Sequence, residues 1–141
     1  MEAVKYSVCS VVFITVLVGA VILGFYIWGK CQAWLLRTHQ EHIAWELAQI
    51  EKEFATIDSF NQAQRAVGLL RYIEEYYVPK PGYRSDAITE NNLETQRTQT
   101  LQTIIQALEQ YSGQQLGENI SAWEGWLESQ ADRLKETPDR P

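Results

Sequence analysis

Cysteine, methionine and histidine are nearly missing from this sequence, which has two, one and two of them respectively. Both histidines, His39 and His42, come before the region that reads as a folded domain, so that region offers no imidazole to activate a Ser or Cys nucleophile. There is no G-x-S-x-G and no Gly-rich phosphate loop. Cys9 lies inside a long apolar run and Cys31 at its edge, so the two cannot easily meet and no disulfide framework is available. Cys31 reads as an inert juxtamembrane thiol, with acylation as its alternative. Basic residues are also scarce. From Cys31 onward there are 10 Lys and Arg against 17 Asp and Glu, a formal charge of −7. That balance argues against nucleic acid or an anionic lipid surface as the main partner, because both require basic patches. No strand-period run occurs anywhere.

What is present begins with "YSVCSVVFITVLVGAVILGFYIW", residues 6–28, without a single charge. As a helix it would reach about 35 Å, enough to cross a hydrocarbon core of about 30 Å. Lys5 and Lys30 bracket it, and Tyr6, Tyr26, Trp28 and Trp34 fall where aromatic rings prefer the headgroup layer. The run is too long for a cleaved signal, and no A-x-A-like site follows it. An uncleaved single span over residues 6–29 is therefore expected, with the bilayer as its partner. Lys30 and Arg37 outweigh the N-terminal flank, where Glu2 offsets Lys5, so the following domain is placed on the cytoplasmic side. Within the span, Thr15 with Gly19 and Ala20 with Gly24 are small-xxx-small pairs that would let another helix approach.

The sequence then stays in helix-forming residues. Leu36, Ile43, Leu47, Ile50, Phe54 and Ile57 make a heptad seam, with Gln40 in its one missing place. Three heptads are marginal for an autonomous coiled coil, so the seam is expected to pack on its own domain; a homodimeric stalk is the second arrangement. Ser59 with Gln62 starts a helix whose stripe is Phe60, Ala63, Val67, Leu70, Ile73 and Tyr77. "VPKPGYRSD" breaks it. Asn91 with Glu94 reads as a second capping box, opening a helix that carries Leu93, Leu101, Ile104, Ile105 and Leu108 and is capped at Gly113. Ser121 with Glu124 reads as a third, opening a helix with Trp123, Trp126, Leu127 and Leu134 on one side. The expected architecture is all-α: an N-terminal flank (1–5), a transmembrane helix (6–29), a juxtamembrane helix (30–57), an acidic helical domain (58–136) and a tail (137–141).

On the last helix both indoles point to one face, where packing on the hairpin of residues 60–78 and 92–112 is the favoured role. Exposure as an anchor for a partner is the alternative, which makes Trp123 and Trp126 candidate interaction residues. "ETQRTQTLQTIIQALEQYSGQQLGENISAWEGWLE", Glu94 to Glu128, resembles the end of a bacterial HEAT-like helical repeat. In that pattern a repeat helix finishes in a glycine turn and a W-x-x-W helix closes the stack. Residues 60–78 would be the first helix of the pair, Ser112 stands where the pattern has Thr, and only one helical pair is visible. The resemblance implies a protein-interaction or scaffolding role; the expected location is a bacterial inner membrane.

Few residues remain as candidates for chemistry. His39, His42 and Glu46 fall at i, i+3 and i+7 and could offer three ligands to a divalent metal. Tyr76, Tyr77 and Tyr83 surround two prolines in "YYVPKPGY" and make Tyr77 and Tyr83 candidate contact residues; roofing the core edge is their alternative. Glu74 and Glu75 read as a solvated helix face. The expectation is a non-catalytic, single-pass membrane module with no cofactor that binds protein partners. An accessory subunit of a larger membrane complex is the runner-up, and a metal-dependent sensor or enzyme the third reading.

Overall fold

A computed structural model of the chain describes residues 2–77 and 84–136, with side chains from 12 to 77 and from 84 to 133. The described residues are helical, without strands: α1 (Glu2–Glu53), α2 (Phe60–Tyr76), α3 (Ala87–Ser112) and α4 (Ile120–Glu136). The chain divides into two compact units, Met1–Thr38 and His39–Pro141. Tyr83 and the tail 137–141 lie outside the described residues, as does the side chain of Leu134.

In the first unit, α1 is the one described helix long and apolar enough to cross a membrane. Its apolar window has a mean hydropathy of 2.3, and none of that window is buried within the protein. Every described large apolar side chain from Val12 to Trp28 is exposed. Such a surface is unfavourable in water and favourable in hydrocarbon.

In the second unit the heptad seam turns inward. Leu47, Phe54 and Ile57 join Ala63, Ala66, Val67, Leu70 and Ile73 of α2 and Leu93, Ile104, Ile105 and Leu108 of α3 in one buried cluster, with Ile43 and Ile50 packed against it. Full burial of each large side chain contributes about 1.5–3 kcal/mol, so these residues dominate the stability of the unit. Gln40, in the seam position that lacked an apolar residue, is buried, and its Oε1 accepts a hydrogen bond from Ser85 Oγ. A polar side chain in that place is tolerated because its oxygen is satisfied.

Polar ties fix the helices around this core. Thr100, fully buried on α3, has its Oγ1 3.2 Å from Leu47 O of α1 and 2.8 Å from Gln96 O of its own helix. Glu51 of α1 accepts from Gln96 at 2.7 Å and from Gln99 at 3.0 Å. Arg65 of α2 reaches Glu53 of α1, and Arg71 of α2 reaches Glu124 of α4, each at 2.8 Å. Both arginine pairs are exposed, so they orient helices more than they stabilise them.

The helix boundaries correct two of the expected caps. Ser59 caps α2 as expected, accepting from Gln62 N at 3.3 Å, while Gln62 Oε1 accepts from Asp58 N at 3.0 Å. The cap of α3 is Asp86, which accepts from Ile88 N at 3.2 Å and Thr89 N at 3.0 Å; Asn91 lies within the helix. A carboxylate there also meets the positive end of the helix dipole. Similarly, α4 begins two residues early. Asn119 Oδ1 accepts from Ala122 N at 3.0 Å, and Ser121 is exposed inside the first turn. At the other end of α3, Gly113 is left-handed (φ 69°) and donates to Glu109 O at 2.9 Å.

Candidate interaction surfaces

The two tryptophans of α4 part company. Positions three apart on a helix are separated by about 60° around its axis, enough for one to face the core and the other its flank. Trp123 is fully buried and its indole N–H donates to Gly117 O at 2.8 Å. As an interaction residue Trp123 is therefore corrected: it closes the core and no partner can touch it. Trp126 is half-buried, edge-on to Trp123 at 6.0 Å and to Tyr111 at 6.2 Å. Together with Phe60, Tyr111, Ser112, Gln114 and Gln130 it lines a cleft of about 470 Å³. A smaller cavity of about 230 Å³ lies between α2 and α3, beside Leu70, Arg97 and Ile105. Arg97 is engaged there, with Nε donating to Ile73 O at 3.4 Å and Nη1 to Glu94 at 3.2 Å.

The expected metal triad is not assembled. Among the described residues no three His, Cys, Asp or Glu side chains are placed to hold a metal ion. His42 Nε2 instead lies 3.2 Å from Glu46, and the ring stacks on Trp45 with centroids 5.9 Å apart. His39 is exposed and is not part of this pairing.

That pair belongs to something larger. Glu46 Oε2 also faces the Tyr77 hydroxyl, which donates to it at 3.5 Å. Tyr77 meets Tyr72 edge-on at 5.1 Å, and Tyr72 meets Tyr76 at 5.0 Å. Trp45, His42, Glu46, Tyr77, Tyr72 and Tyr76 thus form one continuous chain of contacts across the seam between α1 and α2. It exists because α1 and α2 are antiparallel neighbours, which brings residues 42–46 beside 72–77. Burial, then the neighbouring Tyr72 and then Glu46 hold the Tyr77 phenol in its neutral form well above the ordinary tyrosine range. The outer rings are open to solvent: Trp45 is 58% exposed, Tyr76 62% and Tyr72 44%. Of this ridge, the sequence pointed to Tyr77 and to the pair His42 and Glu46 for other reasons. Trp45 and Tyr72 went unnoticed; the one available signal was their spacing of three from His42 and four from Tyr76.

In the first unit, Thr15, Gly19, Ala20 and Gly24 are exposed along α1, and Val21, Gly24, Phe25 and Trp28 line a shallow apolar groove. Nothing lies within 4 Å of where a Cβ would stand on Gly19 or Gly24.

Comparison of the chain with protein-family models, curated proteins and solved structures returned no match.

Proposed function

We propose that this chain is a single-pass membrane protein whose helical unit is a non-catalytic docking module for a protein partner. The observation that carries the reading is the exposed aromatic ridge across α1 and α2, on a unit joined to a helix apolar enough to cross a bilayer. Aromatic rings supply large, rigid contact area at low entropic cost, and several exposed together are characteristic of contact surfaces. The flanking charges Lys30 and Arg37 favour a cytoplasmic unit. The HEAT-like likeness of Glu94 to Glu128 agrees with a scaffolding role at a bacterial inner membrane.

The second reading, an accessory subunit of a larger membrane complex, is favoured by the groove at Gly24, where a neighbouring helix could approach. Extraction in mild detergent followed by mass determination separates the two. The docking module retains its partner when residues 1–30 are deleted. A partner lost with that deletion would overturn the reading and make the chain an accessory subunit.

A further inference from the structure

We propose that the ridge of Trp45, Glu46, Tyr72 and Tyr76 binds an arginine- or lysine-bearing segment of the partner protein. The inference rests on the docking reading and adds the chemistry of what docks.

The seam between α1 and α2 already shows how it holds a cation. Arg65 lies over the Phe54 ring, 5.4 Å from its centroid, and its guanidinium is 2.8 Å from Glu53. A ring and a carboxylate on α1 thus grip one guanidinium from α2. About two turns earlier on α1 the same ingredients recur. Glu46 pairs with His42, whose ring stacks on Trp45, and accepts from the Tyr77 hydroxyl, whose ring Tyr72 meets edge-on; its ion-pair partner among the described residues is thus an imidazole, charged only when protonated. No described Lys or Arg lies over these rings; the cation–ring pairs are Lys30 on Tyr26 and Arg65 on Phe54. Among the described residues this second site has rings and a carboxylate and no Lys or Arg of its own.

Charge selects the occupant. The acidic balance of the chain disfavours nucleic acid and anionic lipid, and it sets a second copy of the same surface against its own carboxylates. A basic peptide gains on both counts, because a cation over an aromatic face and a carboxylate beside it attract together. The area is modest, so binding should depend strongly on the outer rings and on ionic strength.

The test uses the full chain in nanodiscs of phosphatidylcholine and a fluorescent peptide of alternating arginine and serine, with a glutamate–serine peptide as its counterpart. The arginine peptide is expected to bind and the glutamate peptide to fail. Glu46→Gln, Trp45→Ala and Tyr76→Ala should each weaken binding by about tenfold, the scale of losing one charged or cation–ring contact. Glu128→Gln, which removes the same charge from an exposed position on α4, should change it less than about twofold at physiological salt. Near-ultraviolet circular dichroism checks that each variant stays folded. Failure of the arginine peptide to bind, or equal losses in Glu46→Gln and Glu128→Gln, overturns the proposal. A partner that co-extracts with the chain and is retained by all three ridge variants leaves the docking reading standing and removes this inference alone.

Discussion

Replacing Trp123 by alanine should be among the most damaging single changes in the helical unit, and its neighbour Trp126 gives the internal control. Trp123 is fully buried, so its whole side chain is removed from water. An aromatic side chain of this kind buries 150–250 Å², which at about 25 cal/mol per Å² sets an upper figure of about 4–6 kcal/mol. Measured Trp→Ala changes in cores fall at about 3–5 kcal/mol because the cavity collapses in part. The variant also loses the 2.8 Å hydrogen bond to Gly117 O, which ties the α3–α4 connection to α4. Trp126 keeps part of its surface in water and makes its contacts through ring edges. Its replacement should cost about half as much, about 1.5–2.5 kcal/mol. The assay is urea unfolding of the full chain in mild detergent, followed by near-ultraviolet circular dichroism, which reports the packing of aromatic rings. A Trp123→Ala loss below about 1 kcal/mol, or equal losses at the two positions, would show that Trp123 does not close the core.

Other consequences can be measured in the same way. Asn119→Ala should destabilise by about 1 kcal/mol by removing the cap of α4, and Ser121→Ala by almost nothing; the reverse order would misplace the helix start. Thr100→Val keeps the shape and removes the hydroxyl between α3 and α1, for an expected loss of about 1 kcal/mol by urea unfolding. Gly113→Ala should cost about 1 kcal/mol through its left-handed backbone alone, since a Cβ there meets nothing within 4 Å. For Tyr77 the sign follows from the raised pKa. The folded state keeps the phenol protonated after the unfolded chain has begun to lose it, so this contribution is full below about pH 10 and is lost as pH rises further. Absorbance titration at the phenolate band should show a late-titrating tyrosine in the wild type that Tyr77→Phe removes.

Much of the fold was legible because burial leaves a period in the sequence. The stripes on α1, α2 and α3 named most of the core, including the gap at Gln40, and glycine marked the end of α3. The caps were less legible. Asn91 with Glu94 and Ser121 with Glu124 have the spacing of a capping box, but the same spacing arises on any solvated helix face, and only the chain direction before the helix separates the two. The positions that do the capping, Asp86 and Asn119, each lie upstream of the expected one, so α3 gained a turn and more. Sequence spacing also put both indoles of α4 on one face; Trp123 is fully buried and Trp126 packs, half-buried, against the edge of the core. The ridge was the hardest to foresee. Its members are adjacent only after α1 and α2 have paired, through a contact between Glu46 and Tyr77, 31 positions apart in the chain, that no local pattern encodes.

The division between Thr38 and His39 makes the chain separable by a single cut. The first residue of the buried cluster is Leu47, and Gln40 with its Ser85 bond also lies beyond the division. A cut at Thr38 would therefore separate off a fragment carrying the complete core and the complete ridge. A cut after Glu53 would strip Leu47 from that core and Glu46 and Trp45 from the ridge, and the fragment would keep neither whole. Whether the protein is shed or destroyed would thus be decided within about four turns of one helix.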